Sequence, residues 1–284
     1  MVRKINVLSL FDGISCGQIA LEKENIKIEN YFSSEIDKYA IKVTQQNYPN
    51  TIQLGDISKI KGKDLPKIDL LIGGSPCQGF SFAGKQLNFE DKRSKLFFEY
   101  IRLLKEVQPK YFLLENVIMK EKYKKVISNI LKVNPIEINS NLVSAQNRNR
   151  LYWSNIIENI KQPKDKNIKL ESIVEKNINN ILTEEYIEKR KKIKRWGNHF
   201  GTIQNYKSNT LVAIGKSDVL LLTDLKRFLL PIECERLQTI PDNYTNIVSN
   251  SHRYRLIGNS WTVDIIAYIF SFMKKRLNRA FFNL

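Results

Sequence analysis

Cysteine and histidine are scarce in this chain: three cysteines (Cys16, Cys77, Cys234) and two histidines (His199, His252) in 284 residues. The cysteines form no CxxC pair and the histidines lie in unrelated segments, which excludes metal-site spacing and a disulfide framework and fits a reducing cytoplasm. A cysteine hydrolase would need a histidine base within reach of its thiol, and both histidines are remote from Cys77 in sequence. Long hydrophobic runs are also missing. Stretches such as Tyr111 to Leu114 fall far short of the roughly 20 residues that span a bilayer, and Met1 to Lys4 lead directly into a strand, so the expectation is an unexported, cytoplasmic protein without a membrane partner. Acidic residues are few beside basic ones, 29 against 46, for a formal charge of +17. Such an excess suits a polyanionic partner, nucleic acid above all, although lysine enrichment throughout a proteome would produce the same total.

What is present is organised around Asp69 to Ser81, DLLIGGSPCQGFS. An apolar β-type run breaks at Gly73-Gly74 and delivers Pro76-Cys77-Gln78 into a loop, the place where α/β proteins hold reactive groups. Free cysteine is commonly a small buried hydrophobe, but a thiol just past a strand end, between a proline and a polar Gln-Gly pair, does not suit packing. Cys77 is the candidate nucleophile. The stretch 78–91, with Gly79, Gly84 and three phenylalanines, has the length of a mobile lid.

Upstream, the strand Ile5 to Leu10 ends in Phe11-Asp12-Gly13-Ile14-Ser15-Cys16-Gly17 before a helix. A strand, a glycine-containing turn and a helix start make a cofactor cradle, and since the spacing is not GxGxxG, an adenosine-type cofactor without phosphates is favoured over a dinucleotide. A second strand, about Ile26 to Ser34, ends in Glu35, where open α/β sheets place a carboxylate on ribose hydroxyls. A third, near Thr51 to Leu54, ends in Gly55-Asp56-Ile57. Each acid could equally be an ordinary cap or turn residue. A further buried strand, Tyr111 to Leu114, ends in Glu115-Asn116-Val117, placing a carboxyl group where it could donate a hydrogen bond near neutral pH. Ile136 to Ser144 and Arg150 to Trp153 are expected as strands, and alternation between them would let Arg148 and Arg150 face one site together. From about Ile156 the composition shifts to a lysine-rich linker, a basic helix over Thr183 to Trp196 and a β-rich patch around Thr210 to Leu222. Helix returns at Pro231 to Gln238, and Arg255 to Ser260 is expected as a strand or turn feeding a last helix, Trp261 to Lys275.

Taken together, Phe11-Asp12-Gly13, Pro76-Cys77-Gln78, Glu115-Asn116-Val117, Gln146-x-Arg148-x-Arg150, Arg236-Leu237-Gln238-x-x-x-Pro241 and Gly258-Asn259-Ser260 resemble the ordered motif set of the cytosine-C5 DNA methyltransferases. Several segments, including Gly73 to Cys77, Lys95 to Glu99 and Trp261-Thr262-Val263, are similar to the catalytic domain of the animal de novo enzymes, while the size and lysine content look bacterial or viral, as in a small orphan or restriction-associated enzyme. The resemblance implies a Rossmann-like α/β S-adenosylmethionine-dependent methyltransferase fold with a small target-recognition domain: residues 1–155 catalytic and cofactor-binding, 156–228 target-reading, 229–284 rejoining the catalytic domain. It implies S-adenosylmethionine as cofactor, double-stranded DNA as partner, no metal, and a monomer or homodimer. Its catalytic residues map to Cys77, Glu115, Arg148 and Arg150, with Arg150 on O2 of the base and Arg148 on a loop or backbone phosphate. Its cofactor residues map to Phe11, Asp12, Gly13, Ile14, Ser15, Gly17, Glu35, Ile36, Asp56, Ile57, Gly74, Asn259 and Ser260. Where the family commonly carries FxGxG, this chain reads FDGISCG, with Ser15 in place of a glycine. The same chemistry on tRNA, or a catalytically weak nucleic-acid-binding protein of the same fold, are the alternative readings. Polar and basic residues of the target-reading region, such as Asn205, Lys207, Asn209 and Arg227, are expected to meet DNA.

If the positive charge binds phosphate, affinity for duplex DNA falls steeply with salt, with a log–log slope of about 0.9 per neutralised phosphate and several phosphates in total. A flat response in a salt titration would mean that the lysines are only compositional.

Overall fold

The computed structural model describes residues 3–75, 92–156, 161–175, 182–192, 200–201, 207–211, 221–222 and 224–282. Cys77, the 78–91 loop, His199 and Asn205 lie outside the described residues. The chain divides into two compact units: Met1–Ile138, Asn149–Gln162 and Ile266–Leu284 form the first, and Asn139–Arg148 with Pro163–Ile265 the second.

The first unit alternates strand and helix: β1 (Ile5–Leu10), α1 (Cys16–Lys23), β2 (Ile28–Ser34), α2 (Lys38–Asn47), β3 (Ile52–Gln53), β4 (Leu70–Gly74), α3 (Lys92–Val107), β5 (Tyr111–Val117), α4 (Glu121–Leu131), β6 (Ile136–Asn139) and β7 (Asn149–Ser154). The seven strands lie in the order β3-β2-β1-β4-β5-β7-β6. Pairings from β3 to β5 are parallel, and β7 runs antiparallel to β5. This is the expected Rossmann-like α/β sheet. Its central strands are apolar almost throughout, as they must be when helices cover both faces, and Leu8, Leu10, Leu71, Leu114, Tyr100 and Trp153 lie in one core cluster. Gly17, in the first turn of α1, is closely packed: an added Cβ would fall 2.3 Å from Ile72 Cδ1 and 2.8 Å from the Tyr31 hydroxyl, and those side chains would have to shift.

The second unit contains α5 (Glu184–Lys191), a three-stranded sheet of β8 (Phe200–Gly201), β9 (Leu221–Leu222) and β10 (Arg227–Phe228), then α6 (Pro231–Leu237) and α7 (Asn250–Asn259). The last helix, α8 (Val263–Phe282), enters the first unit from Ile266. Among the described residues no single helix is long and apolar enough to cross a membrane.

Three elements differ from the pattern expected of the sequence. The strand after Ile136 stops at Asn139, whose side chain accepts from Asn141 N at 3.1 Å and turns the chain into a 3-10 helix, Ser140–Leu142. The basic helix near Thr183 begins at Glu184 and is described to Lys191. Arg255 to Ser260 is neither strand nor turn: it lies in the last turns of α7 and its cap, with Tyr254, Leu256, Ile257 and Gly258 buried. Gly258 suggests a break, but burial of that helical face overrides the propensity of one glycine.

Two of the basic residues expected at DNA are committed to partners within the protein, Lys207 half-buried and Arg227 buried. Lys207 donates to the carbonyls of Asn141, Ser144 and Ile168 at 2.7, 3.0 and 2.7 Å. Arg227 forms a bidentate pair with Glu233 at 2.9 and 2.6 Å and also donates to the Phe228 and Glu175 carbonyls. Both members of that pair are almost fully enclosed, at 5% and 0% side-chain exposure. Removing one partner would leave an uncompensated buried charge, so Arg227→Ala is expected to cost about 3–5 kcal/mol. The check is the urea midpoint at unchanged slope; a loss below about 1 kcal/mol would show that Glu233 finds another partner.

Candidate active site

The chain passes from β1 outward through β2 to β3, then returns to pair β4 on the other side of β1. That reversal opens a crevice at the carboxyl ends of the central strands, where such sheets bind ligands. The strand registers align its rim. Leu10 pairs with Ser34 and with Gly73, and Gly74 pairs with Glu115. Phe11, Glu35, Ser75 and the end of β5 therefore sit side by side. Antiparallel β7 brings its first residues to the same rim, with Arg150 opposite Val117.

The turn after β1 is conformationally demanding. Phe11, Gly13 and Ser15 all have left-handed φ values of 56°, 60° and 60°. Asp12 holds the turn in place: its carboxylate accepts from the hydroxyls of Ser9 at 2.5 Å, Tyr31 at 2.8 Å, Ser33 at 3.0 Å and Ser15. Burial pushes this carboxyl group above the usual aspartate range, against the lowering pull of the four hydroxyls. The Ser15 hydroxyl also accepts from Gln18 Nε2 at 3.2 Å and is bonded to Thr44 Oγ1 at 3.3 Å. A serine is thus accommodated where a glycine would adopt the conformation freely, because its side chain is tied at three points. Of the residues expected at the cofactor, Asp12, Ile14, Ser15 and Ile57 turn their side chains inward and Gly17 packs on the sheet. These five shape the cradle through its backbone.

Others face outward. Nothing lies within 4 Å of the position a Gly13 Cβ would take. Glu35 accepts from the Gly13, Ile36 and Asp37 amides, all at 2.8 Å, which ties the end of β2 to the first turn and leaves acceptor capacity for a hydroxyl. Ile36 is 77% exposed, an apolar surface beside that carboxylate. Asp56 caps the following 3-10 turn by accepting from Ser58 N and Oγ at 2.9 Å through one oxygen, and the Ser58 amide holds its carboxyl group below the usual range. Its second oxygen suits an amine donor. Two carboxylates, an exposed aliphatic surface and an open glycine turn fit an adenosyl group; they would repel a pyrophosphate.

Gly73 is closely packed, since a Cβ would lie 3.0 Å from the Leu10 carbonyl and 3.1 Å from the Tyr100 ring. Beyond it, Ser75 is bonded by Asn116 Nδ2 through both its carbonyl, at 3.4 Å, and its hydroxyl, at 3.2 Å. Asn116, flanking the expected catalytic glutamate, thereby fixes the segment that enters Pro76-Cys77 against the end of β5. Glu115 pairs with Arg150 Nε at 3.0 Å, with side chains 11% and 13% exposed. The expected catalytic carboxylate and one of the two arginines are brought together.

Arg148 has separate partners. It is 4% exposed, and its guanidinium donates to the carbonyls of Leu211 at 3.0 Å, Gly258 at 3.2 Å and Ser260 at 2.9 Å. The expectation that Arg148 and Arg150 address one site fails because helix-end carbonyls hold the former. Around it, Gln146 and Gln238 are fully buried and bonded to each other, and Gln238 also donates to Ile257 and Ser260. Sequence reasoning assigned no role to Asn116, Gln146 or Gln238; their membership in the recurring motifs was the signal.

The turn predicts a stability order for Ser15. Ser15→Gly loses the hydrogen bond to a charged group, about 1.5–3 kcal/mol, but gains relief from the left-handed conformation, about 1 kcal/mol. Ser15→Ala loses the bond without the relief. Both variants are expected to be less stable than the parent in chemical denaturation, with alanine below glycine by about 1 kcal/mol; the reverse order would remove the argument from strain.

The sequence profile described as C-5 cytosine-specific DNA methylase matches residues 5–134 and 118–275. A type II methyltransferase of Lactococcus lactis subsp. cremoris, M1.ScrFI, is 36% identical over an alignment covering 98% of this chain and 80% of the relative. An orphan methyltransferase of Bacillus phage rho11s, M.Rho11sI, is 40% identical over 63% of this chain and 37% of its own length. A DNA modification methyltransferase encoded in an E. coli prophage shares the fold, with a TM-score of 0.77, 21% identity and coverage of 97% of this chain and all of the other. With the motifs in order, and the profile and the Lactococcus relative each matching over most of the chain, the chain belongs to the C-5 cytosine-specific DNA methylase family.

Proposed function

We propose that this chain methylates C5 of a flipped-out cytosine in duplex DNA, with Cys77 as nucleophile, Glu115 and Arg150 holding the base, and the rim from Phe11 to Asp56 holding S-adenosylmethionine. The observation that carries the residue assignment is the Glu115–Arg150 pair, 3.0 Å apart at the strand rim, next to the segment that leads into Cys77. S-adenosylmethionine, when bound, supplies a methyl group on a cationic sulfur.

Cytosine C5 is a poor nucleophile until a group adds at C6. The Cys77 thiolate forms the S–C6 bond, and the displaced electron pair makes the ring enamine-like and raises its nucleophilicity at C5. Glu115 contacts N3 and the exocyclic amine, Arg150 contacts O2, and the pair offsets the charge that addition places on the ring. Once C5 carries the methyl group, its proton leaves to a base, the S–C6 bond breaks and the thiolate departs with its electron pair. The C5–C6 double bond is restored. Because the target carbon is hidden in the base stack, the nucleotide must leave the helix first.

Glu35 is assigned the ribose hydroxyls, Asp56 the adenine amine, Ile36 and Phe11 the faces of the adenine, and Gly13 and Gly74 the close backbone approaches. Asn259 and Ser260 complete the set by family resemblance. Target reading is assigned to residues 156–228, where Asn209 is exposed, whereas Lys207 and Arg227 are committed to internal partners.

Cys77→Ser is expected to retain binding of S-adenosylmethionine and DNA while losing methyl transfer by several orders of magnitude, since a hydroxyl is far less ionised than a thiol at neutral pH. The assay is transfer of labelled methyl to duplex DNA together with trapping of the parent protein on 5-fluorocytosine, whose fluorine cannot leave as a proton does. Near-parental turnover in the serine variant, or no trapped adduct, would exclude the covalent route.

A further inference from the structure

The amino-end edge of the seven-stranded sheet, at the far end of its parallel strands from the candidate active site, is lined with cations from separate connections. Backbone bonds set them side by side. The Lys27 carbonyl accepts from the Ile5 amide at 3.0 Å, next to Lys4, and the Lys67 carbonyl accepts from the Asn6 side chain at 3.0 Å. The Asp69 carbonyl accepts from the Tyr111 amide at 2.9 Å, next to Lys110. Because β7 runs antiparallel to β5, its carboxyl end reaches this same edge: Asn155 Nδ2 donates to the Lys110 carbonyl at 2.9 Å, and Arg276 of α8 donates to the Asn155 carbonyl at 3.0 Å. Lys27, Arg3 with Lys4, Lys67, Lys110 and Arg276 therefore follow the strand order β2-β1-β4-β5-β7, all exposed and all in the first unit. Few acids offset them. Asp69 is taken up by Arg3 at 2.5 Å and Glu29 by Lys4 at 3.1 Å, and Glu24 and Asp64 are the other acids of the connections that enter these strands. Among the described residues Lys27, Lys67, Lys110 and Arg276 have no carboxylate partner; Lys110 Nζ lies 5.3 Å from the centroid of the Tyr111 ring.

We propose that this edge is a second phosphate-binding surface, which holds a segment of duplex DNA other than the one at the crevice. The choice of partner rests on DNA as the substrate of the family and not on the assignment of catalytic residues. Five neighbouring strands about 4.8 Å apart make a row of about 19 Å, the axial rise of about five or six base pairs. Over that length flexible basic side chains meet successive phosphates without reading bases, the pattern of sequence-independent binding. β1 has six residues, so roughly 20 Å of strand separates this edge from the turn at Phe11, beside which Glu35 and Asp56 disfavour phosphate. The two rims face opposite ways, so a straight duplex seated on one does not lie along the other. Holding a second segment keeps the protein on one DNA molecule between encounters with its target and raises the effective concentration of that target.

The experiment compares the parent with an edge variant, Lys27→Gln/Lys67→Gln/Lys110→Gln, and with a control that removes as many exposed lysines elsewhere in the first unit, Lys42→Gln/Lys122→Gln/Lys125→Gln. Duplex DNA of random sequence is fixed to beads, protein is bound to it, and capture of a second, labelled duplex is measured against salt. The parent is expected to capture the second duplex, and the capture to fall steeply as salt rises. The edge variant is expected to lose about tenfold or more in capture and about 0.9 per lysine in log–log salt slope, while the control stays within about threefold of the parent. Methyl transfer to short genomic fragments is expected to remain within about threefold in both variants. Absence of transfer by the parent itself would count against the proposed reaction and leave the capture result standing. No capture by the parent overturns the second surface, and so does equal loss in the control and edge variants, which would make total charge the cause. Capture retained by the edge variant would assign the bridging to another face or to a dimer of this chain and overturn it as well. Tighter capture of structured RNA than of duplex DNA through the same lysines would overturn the choice of partner.

Discussion

Parallel pairing of β1 with β2 on one side and β4 on the other is the constraint on which the first unit depends. Parallel strands all point their carboxyl ends one way, so each following turn is delivered to one rim regardless of its distance in sequence. Glu35, Asp56 and Glu115 reach that rim from three different crossovers. The antiparallel β7 adds Arg150 by its amino end, which is the only end of that strand that could meet Glu115 there. The rim is acidic on the side of β2 and β3, in a chain whose formal charge is +17. Local sign and overall sign thus differ: an acidic rim disfavours a phosphate-bearing ligand, while the total charge favours a polyanion.

Buried polar clusters account for many of the residues that make the family's motifs recognisable. Asp12 with four hydroxyls, Arg148 with three carbonyls, and Arg227 with Glu233 each fill an enclosed space in which every donor needs an acceptor. An unmade hydrogen bond in such a place costs more than a made one contributes, so these residues are constrained as tightly as any that touch a substrate. A motif therefore mixes two kinds of residue. In Phe11-Asp12-Gly13 the aspartate faces inward and the glycine outward, and in Gln146-x-Arg148-x-Arg150 the first two named residues brace backbone while Arg150 meets the glutamate.

The order of strands and helices, the glycine turn and the placement of the acids at strand ends follow from local rules, which is why they could be read from sequence. Short apolar runs bounded by Gly-Gly or Gly-Asp favour buried strands feeding turns, because they are too short for a helix and end in turn residues. Short-range signals also misled where a local competitor prevailed. Asn139 ended a strand early by capping a turn, and the apolar face of α7 carried helix through Gly258.

The direction of each side chain lay beyond sequence, because it depends on partners tens of residues away. Nothing in the neighbourhood of Arg148 or Arg150 distinguishes them; Arg150 meets Glu115 35 positions earlier and Arg148 meets Ser260 112 positions later. Sequence alone determined the fold class and the family, since these rest on residue types in a fixed order of strand ends. Only tertiary structure decided which of those residues face the crevice and which hold it open, because that choice is made by whichever unsatisfied carbonyl or carboxylate the folded chain brings within hydrogen-bond distance.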